Sequence, residues 1–152
     1  MDFFPNDELK TTRKLDILIV EDNVINKLII TKMLIGVGHS IEVTTNGKEA
    51  CDLLSHKSFD LIIMDVHMPV MDGLEATQII RASGNDIPIL GCTADSYSGD
   101  INKFKAFGMD DVVIKPIHLG ILLFSINRVM GEDLHRQIED EMLMPSKTNN
   151  ST

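Results

Sequence analysis

The sequence predicts an α/β fold built on a five-stranded parallel sheet with helices on both faces. Short apolar runs and amphipathic helical patterns alternate five times along the chain, the pattern of successive strand–helix units. Four of the five runs hold an unbroken apolar stretch, such as ILIV within LDILIV and LIIM within FDLIIM, as in strands buried on both sides. Right-handed crossovers between parallel strands then distribute the helices over the two faces.

The elements follow in order. Residues 1–14, MDFFPNDELKTTRK, show no periodicity and are expected to form a flexible tail. They lack the basic segment and apolar stretch of a secretory signal. Strands are expected at 15–20, 40–45, 59–64, 87–91 and 111–114, and helices near 24–37, 47–56, 73–83, 96–107 and 118–129. The segment around IEVTT alternates apolar and polar residues, which suits an edge strand with one wet face. Asn46 with Glu49, and Asp72 with Glu75, have the spacing of capping boxes at two helix starts. Gly38 and Gly108 stand where helices should stop in a left-handed cap. Pro69 and Pro116 fall in loops at strand ends, where a missing N–H costs nothing.

Residues 15–131 are thus expected to form one domain. In 132–144, Leu134, Ile138 and Met142 recur every fourth residue among charged neighbours. That is the stripe of an amphipathic helix, which could pack back on its own domain or meet a partner or second copy. The final PSKTNNST is expected to be disordered. The roughly 20 residues after 131 are too few for a DNA-binding fold with its own core.

The net charge of −9 argues against nucleic acid as a partner. No apolar stretch reaches the length of a membrane span, so a cytoplasmic protein is expected, or a nuclear one if the source is eukaryotic. Cys51 and Cys92 make no disulfide framework. They read as reduced core residues, with Cys92 next to the candidate site described next.

The runs end in chemistry. Glu21 and Asp22 follow the first, Asp65 ends the third, Thr93 follows the fourth and Lys115 ends the fifth. In an open α/β sheet, ligands bind beyond the carboxyl ends of the strands, so these residues should converge. A carboxylate such as Asp65 can accept a phosphoryl group as an acyl phosphate. Clustered carboxylates repel such a group unless a hard cation lies among them, and Mg2+ suits oxygen donors. Glu21, Asp22, Asp65 and the backbone carbonyl of His67 are the candidate ligands. Lys115 would hold a phosphoryl oxygen as a compact point charge, and the Thr93 hydroxyl would donate to another.

At these residues the chain resembles the receiver domain of two-component response regulators. The resemblance covers roughly 15–130 and rests on Glu21–Asp22, on Asp65 within DVHMPVMDG, on Thr93–Ala94 and on Lys115–Pro116. It implies strand order 2-1-3-4-5, an example of which serves as a standard case of the doubly wound sheet, and a cis Lys115–Pro116 bond. EDN in place of a double Asp, with GMDDVVIKPI, is most similar to receivers of hybrid histidine kinases and eukaryotic phosphorelays. The resemblance implies a phosphoryl group taken from a histidine kinase or a histidine-phosphotransfer protein, and catalysis limited to the domain's own phosphorylation and dephosphorylation. A pseudo-receiver, acting through phosphorylation-independent contacts, is the alternative. A phosphatase of the haloacid dehalogenase type would need a second Asp where His67 stands. The expected oligomeric state is monomer or weak dimer.

Two departures carry expectations. Val112 stands where many receivers have an aromatic residue that swings inward on activation. His67 and Asp95 stand where receivers line the path of the attacking water, and as a pair they could alter the acyl-phosphate lifetime. For a partner, Ile25, Leu28 and Ile29 on the first helix offer apolar side chains, although their periodicity also fits a core.

Overall fold

The computed structural model describes residues 14–94 and 101–131. Its strands are β1 (Asp16–Val20), β2 (Ser40–Thr44), β3 (Leu61–Asp65), β4 (Ile89–Thr93) and β5 (Asp111–Ile114). Its helices are α1 (Val24–Gly36), α2 (Gly47–Leu54), α3 (Gly73–Ala82), α4 (Ile101–Ala106) and α5 (119–131). The strands form one parallel sheet in the order β2-β1-β3-β4-β5. The Lys115–Pro116 bond is cis. The expected tail over 1–14 and the extension over 132–152 lie outside the described residues, save for Lys14, and so does the expected start of the fourth helix.

Every residue of β3 and β4 is buried, because both faces of the sheet are covered. Ile17, Ile19 and Ile63 point to one face and pack with Ile30 and Leu34 of α1 and Leu122, Leu123 and Ile126 of α5. Leu18, Ile62 and Met64, one residue out of phase, point to the other and pack with Ala50 of α2, Ala76 and Ile80 of α3 and Phe104 of α4. The two-residue period of a strand thus feeds two cores. Each fully buried Leu or Ile contributes about 1.5–3 kcal/mol relative to exposure. At the edge, β2 is only half buried over Ser40–Glu42, and Val43 is exposed.

β3 and β4 both begin two residues later than the apolar pattern suggests and run through Asp65 and Thr93. Asp65 pairs with Cys92 in the ladder, and the Val66 amide donates to the Cys92 carbonyl. A polar side chain does not end backbone pairing, so Asp65 and Thr93 sit inside the sheet edge rather than in the loops beyond it.

Three helix starts, those of α1, α2 and α3, are capped by side chains. Asn23, Asn46 and Asp72 accept from the amides of Asn26, Glu49 and Glu75, each offsetting about 1 kcal/mol of unsatisfied first-turn donors. The Asn46 cap departs from the capping box. Glu49 accepts from the amide and hydroxyl of Thr45, one residue before the cap. Gly38 and Gly108 adopt the expected positive φ, 103° and 112°.

Candidate phosphoacceptor site

The carboxyl ends of β1, β3 and β5 bring four charged side chains together. One carboxylate oxygen each from Glu21, Asp22 and Asp65 lie within 4.8 Å of one another. Glu21 and Asp65 are buried, whereas Asp22 is exposed. Lys115, at the end of β5, donates from Nζ to Asp65 Oδ1 at 3.0 Å and lies 3.2 Å from Glu21 Oε1.

These charges are not balanced. Three carboxylates face one ammonium. Glu21 Oε1 is buried without a hydrogen-bond partner. Its approach to Lys115 is an ion pair by distance, off the direction a hydrogen bond needs. Burial, followed by the Asp65 carboxylate beside it, pushes the Glu21 carboxyl up to about 7. For Lys115, burial works against the charged form, but the Asp65 and Glu21 carboxylates outweigh it and hold the ammonium above its usual range.

The loops around the cluster are drawn tight by close approaches. A Cβ on Gly73 would collide with the Asp65 carbonyl oxygen, and one on Gly47 would meet the Met71 carbonyl oxygen at 2.7 Å. The Gly73 amide donates to Val66 O and the Gly47 amide to Met71 O. Between these two ties the Met71 amide donates to Pro69 O, and Val70, the residue enclosed, has φ 71°. That is a strained turn for a β-branched residue, and nothing in the sequence signalled it. Val70 is also the most exposed large apolar side chain of the described residues.

The remaining candidates are placed as follows. Thr93 is fully buried at the end of β4, and its carbonyl accepts from the Lys115 amide at 2.8 Å. His67 is exposed in the loop after β3, while Asp95, its suggested companion, lies outside the described residues. Val112 is half-buried in β5 against the core of the α2–α4 face. Cys92 is free and buried, and burial pushes its thiol up to about 12, too high for thiolate chemistry. Ile25, Leu28 and Ile29 are exposed on α1, at 61%, 51% and 41%. Their periodicity left core and surface open because α1 is apolar on both sides. Ile30 and Leu34 take the core face.

A cation site needs oxygen donors, excess negative charge and unsatisfied lone pairs. The Glu21–Asp22–Asp65 cluster has all three, and Glu21 Oε1, buried with no hydrogen-bond partner, offers a free lone pair to a cation. No helix among the described residues is long and apolar enough to cross a membrane.

Comparison with known proteins agrees with this geometry. The profile of the response regulator receiver domain matches residues 17–127. Two-component system protein A of Emericella nidulans is 43% identical over 110 residues, which cover 70% of this chain but 16% of that protein. The chain therefore spans a small part of that curated relative. Among solved structures, the receiver domain of a sensor histidine kinase of Pseudomonas aeruginosa PAO1 superposes with a TM-score of 0.72 at 34% identity, covering 78% of this chain and 99% of that one. That structure has a magnesium ion coordinated in its active site cleft. A receiver domain of a Saccharomyces cerevisiae response regulator, crystallised with its histidine phosphotransfer signaling protein, gives a TM-score of 0.71 at 32% identity, covering 78% of this chain and 90% of that one.

Proposed function

The chain belongs to the response regulator receiver domain family, and we propose that Asp65 accepts a phosphoryl group from a phosphohistidine on a histidine kinase or histidine-phosphotransfer protein. The observation that carries this reading is the convergence of the Asp65, Glu21 and Asp22 carboxylates beside the Lys115 ammonium.

An Asp65 carboxylate oxygen attacks phosphorus as the P–N bond to the donor imidazole breaks, and the imidazole leaves with the bonding pair. The product is an aspartyl phosphate, whose hydrolysis returns the carboxylate. Lys115 gives up its bond to Asp65 Oδ1 and holds a phosphoryl oxygen instead. Thr93 donates its hydroxyl to another. Glu21, Asp22, Asp65 and the His67 carbonyl would hold Mg2+, which would supply positive charge to offset the carboxylates and the incoming phosphoryl group. The domain catalyses its own phosphorylation and dephosphorylation and turns over no other substrate.

The donor docks over the exposed Ile25, Leu28 and Ile29 of α1. An apolar surface beside an acidic cleft excludes water while leaving the phosphohistidine an open approach to Asp65. Support comes from the related yeast receiver crystallised with a histidine phosphotransfer protein.

The test is phosphoryl transfer from a phosphorylated histidine-phosphotransfer protein, with Mg2+, to the wild type and to Asp65→Asn. Label on the wild type alone is expected. If neither protein is labelled, by this donor or by a small-molecule phosphodonor, the chain is a pseudo-receiver.

A further inference from the structure

Val70 combines backbone strain with exposure. Its φ of 71° is the one positive φ at a residue other than glycine among the described residues. The Met71 amide closes the turn onto Pro69 O at 2.8 Å, a conformation that glycine adopts freely and a β-branched residue resists. The side chain is nevertheless 77% exposed, so the fold gains no burial from holding it there. The methionines on either side show the contrast. Met68 and Met71 are half-buried against the α2–α4 core, and the turn between them leaves Val70 in solvent.

An exposed apolar group held in a strained turn points to a use outside the fold, and its position says which. Val70 lies five residues after Asp65, in the loop that leaves β3 on the α2–α4 face. Val24 and Ile25, 68% and 61% exposed, follow Asp22 at the start of α1, which packs on the opposite face. The Asp22 and Asp65 carboxylates lie within 4.8 Å of each other. The acidic cleft therefore opens at the sheet edge between two apolar rims, one from each face. A protein that brings a phosphoryl group to Asp65 spans both rims, whereas a small phosphodonor enters between them.

We propose that Val70 is a recognition residue for the phosphohistidine donor: its isopropyl group packs on an apolar patch of the donor protein, across the Asp65 cleft from α1. This rests on the reading of Asp65 as the phosphoacceptor and adds a second rim to the docking surface. The rim is set before any donor arrives. The Gly47 amide donates to Met71 O at 3.0 Å and the Gly73 amide to Val66 O at 2.9 Å, so the loop is tied on both sides of the turn and little order remains to be imposed on contact.

The test is transfer to the full-length chain from two donors with Mg2+, a phosphorylated histidine-phosphotransfer protein and acetyl phosphate. Val70→Gly and Val70→Asn remove the apolar group and tolerate the positive φ. For both, the ratio of the protein-donor rate to the acetyl phosphate rate is expected to fall about tenfold, through a raised KM for the protein donor, as one apolar contact between the partners is lost. Val70→Ile keeps the apolar group and is expected to hold the ratio within about twofold. Denaturation midpoints of Val70→Gly and Val70→Asn are expected to match or exceed that of the wild type, since the turn no longer carries a β-branched residue. A lower midpoint would assign Val70 to the fold and overturn the proposal. An unchanged ratio overturns it, and so do equal losses from both donors, which would mean that Val70 acts through the position of Asp65. If acetyl phosphate alone labels the wild type, the proposal falls while Asp65 stands as the phosphoacceptor. If neither donor labels it, both fall.

Discussion

Lys115 reaches across the sheet edge to Asp65, Nζ to Oδ1 at 3.0 Å, from a strand separated from β3 by β4. The same ammonium lies 3.2 Å from Glu21. Among the described residues it is the only cation at this cluster of three carboxylates, and it competes with any metal for their charge. Its removal should therefore act in two directions. Lys115→Met is expected to bind Mg2+ several-fold more tightly in calorimetric titration, because a repelling charge is gone. It should also accept phosphoryl about 10- to 100-fold more slowly, the loss of a charge-assisted hydrogen bond worth about 1.5–3 kcal/mol. Weaker Mg2+ binding in the variant would mean that the ammonium organises the carboxylates rather than competing for them.

Glu21 makes a second separable case. Its carboxyl is pushed up to about 7, first by burial and then by Asp65, so its ionised form is held at a cost in the metal-free protein. Glu21→Gln should stabilise the metal-free domain at pH 8 by about 1–2 kcal/mol, read as a higher denaturation midpoint. It should weaken Mg2+ binding by at least tenfold. Because ligands must be deprotonated, wild-type Mg2+ affinity should rise with pH up to about 7 and then level off. A destabilised Glu21→Gln would contradict the charge imbalance described for the site.

How much of this was legible in the sequence follows from what each residue's environment depends on. Glu21, Asp65 and Lys115 could be read because each interrupts an apolar run, and strand direction alone carries such residues to one edge of the sheet. The split of α1 into a core face and an exposed apolar face could not. Both faces are apolar, so the side taken by Ile30 and Leu34 is decided by packing against β1 and α5. Val70 was invisible because its φ is imposed by the ties at Gly47 and Gly73. Arg81 was missed too. It donates to the carbonyls of Gly108, Asn85 and Ile87 and pairs with Asp110, partners that only the folded chain brings together.

Gly73 links packing to chemistry. The space for its Cβ is taken by the Asp65 carbonyl oxygen, so Gly73→Ala must push the loop away from the strand that carries Asp65. The expected cost is about 1–3 kcal/mol of stability, as for overpacking in a core. Phosphoryl uptake should fall as well, since a small misplacement of a reacting group costs about 100-fold in rate. Gly84→Ala is the contrasting control. It has a positive φ of 86° but nothing within 4 Å, so it should lose stability without losing transfer rate. Equal transfer by Gly73→Ala and wild type would show that the loop yields without moving Asp65.

His39 sets a pH dependence far from this site. It is buried just before β2, and its Nδ1 accepts from the Leu15 amide at 3.0 Å. Nδ1 as acceptor places the proton of the neutral ring on Nε2, which is buried without a partner among the described residues. Burial holds the His39 pKa below its ordinary 6.5. The unfolded chain then binds the proton that the folded chain refuses, so below pH 6.5 stability falls with falling pH, and above it this contribution is fully present. Glu21 acts oppositely, since its raised pKa makes the folded state bind more protons between 4.5 and about 7. The wild-type curve alone would mix the two. The difference in unfolding free energy between wild type and His39→Gln isolates His39, because Gln retains an acceptor for Leu15 but does not titrate. Wild type is expected to lose stability relative to His39→Gln as pH drops from 7 to 5, through the ordinary histidine pKa of 6.5. A pH-independent difference would mean that the imidazolium is accommodated in place, with Nε2 finding an acceptor and the Leu15 amide released.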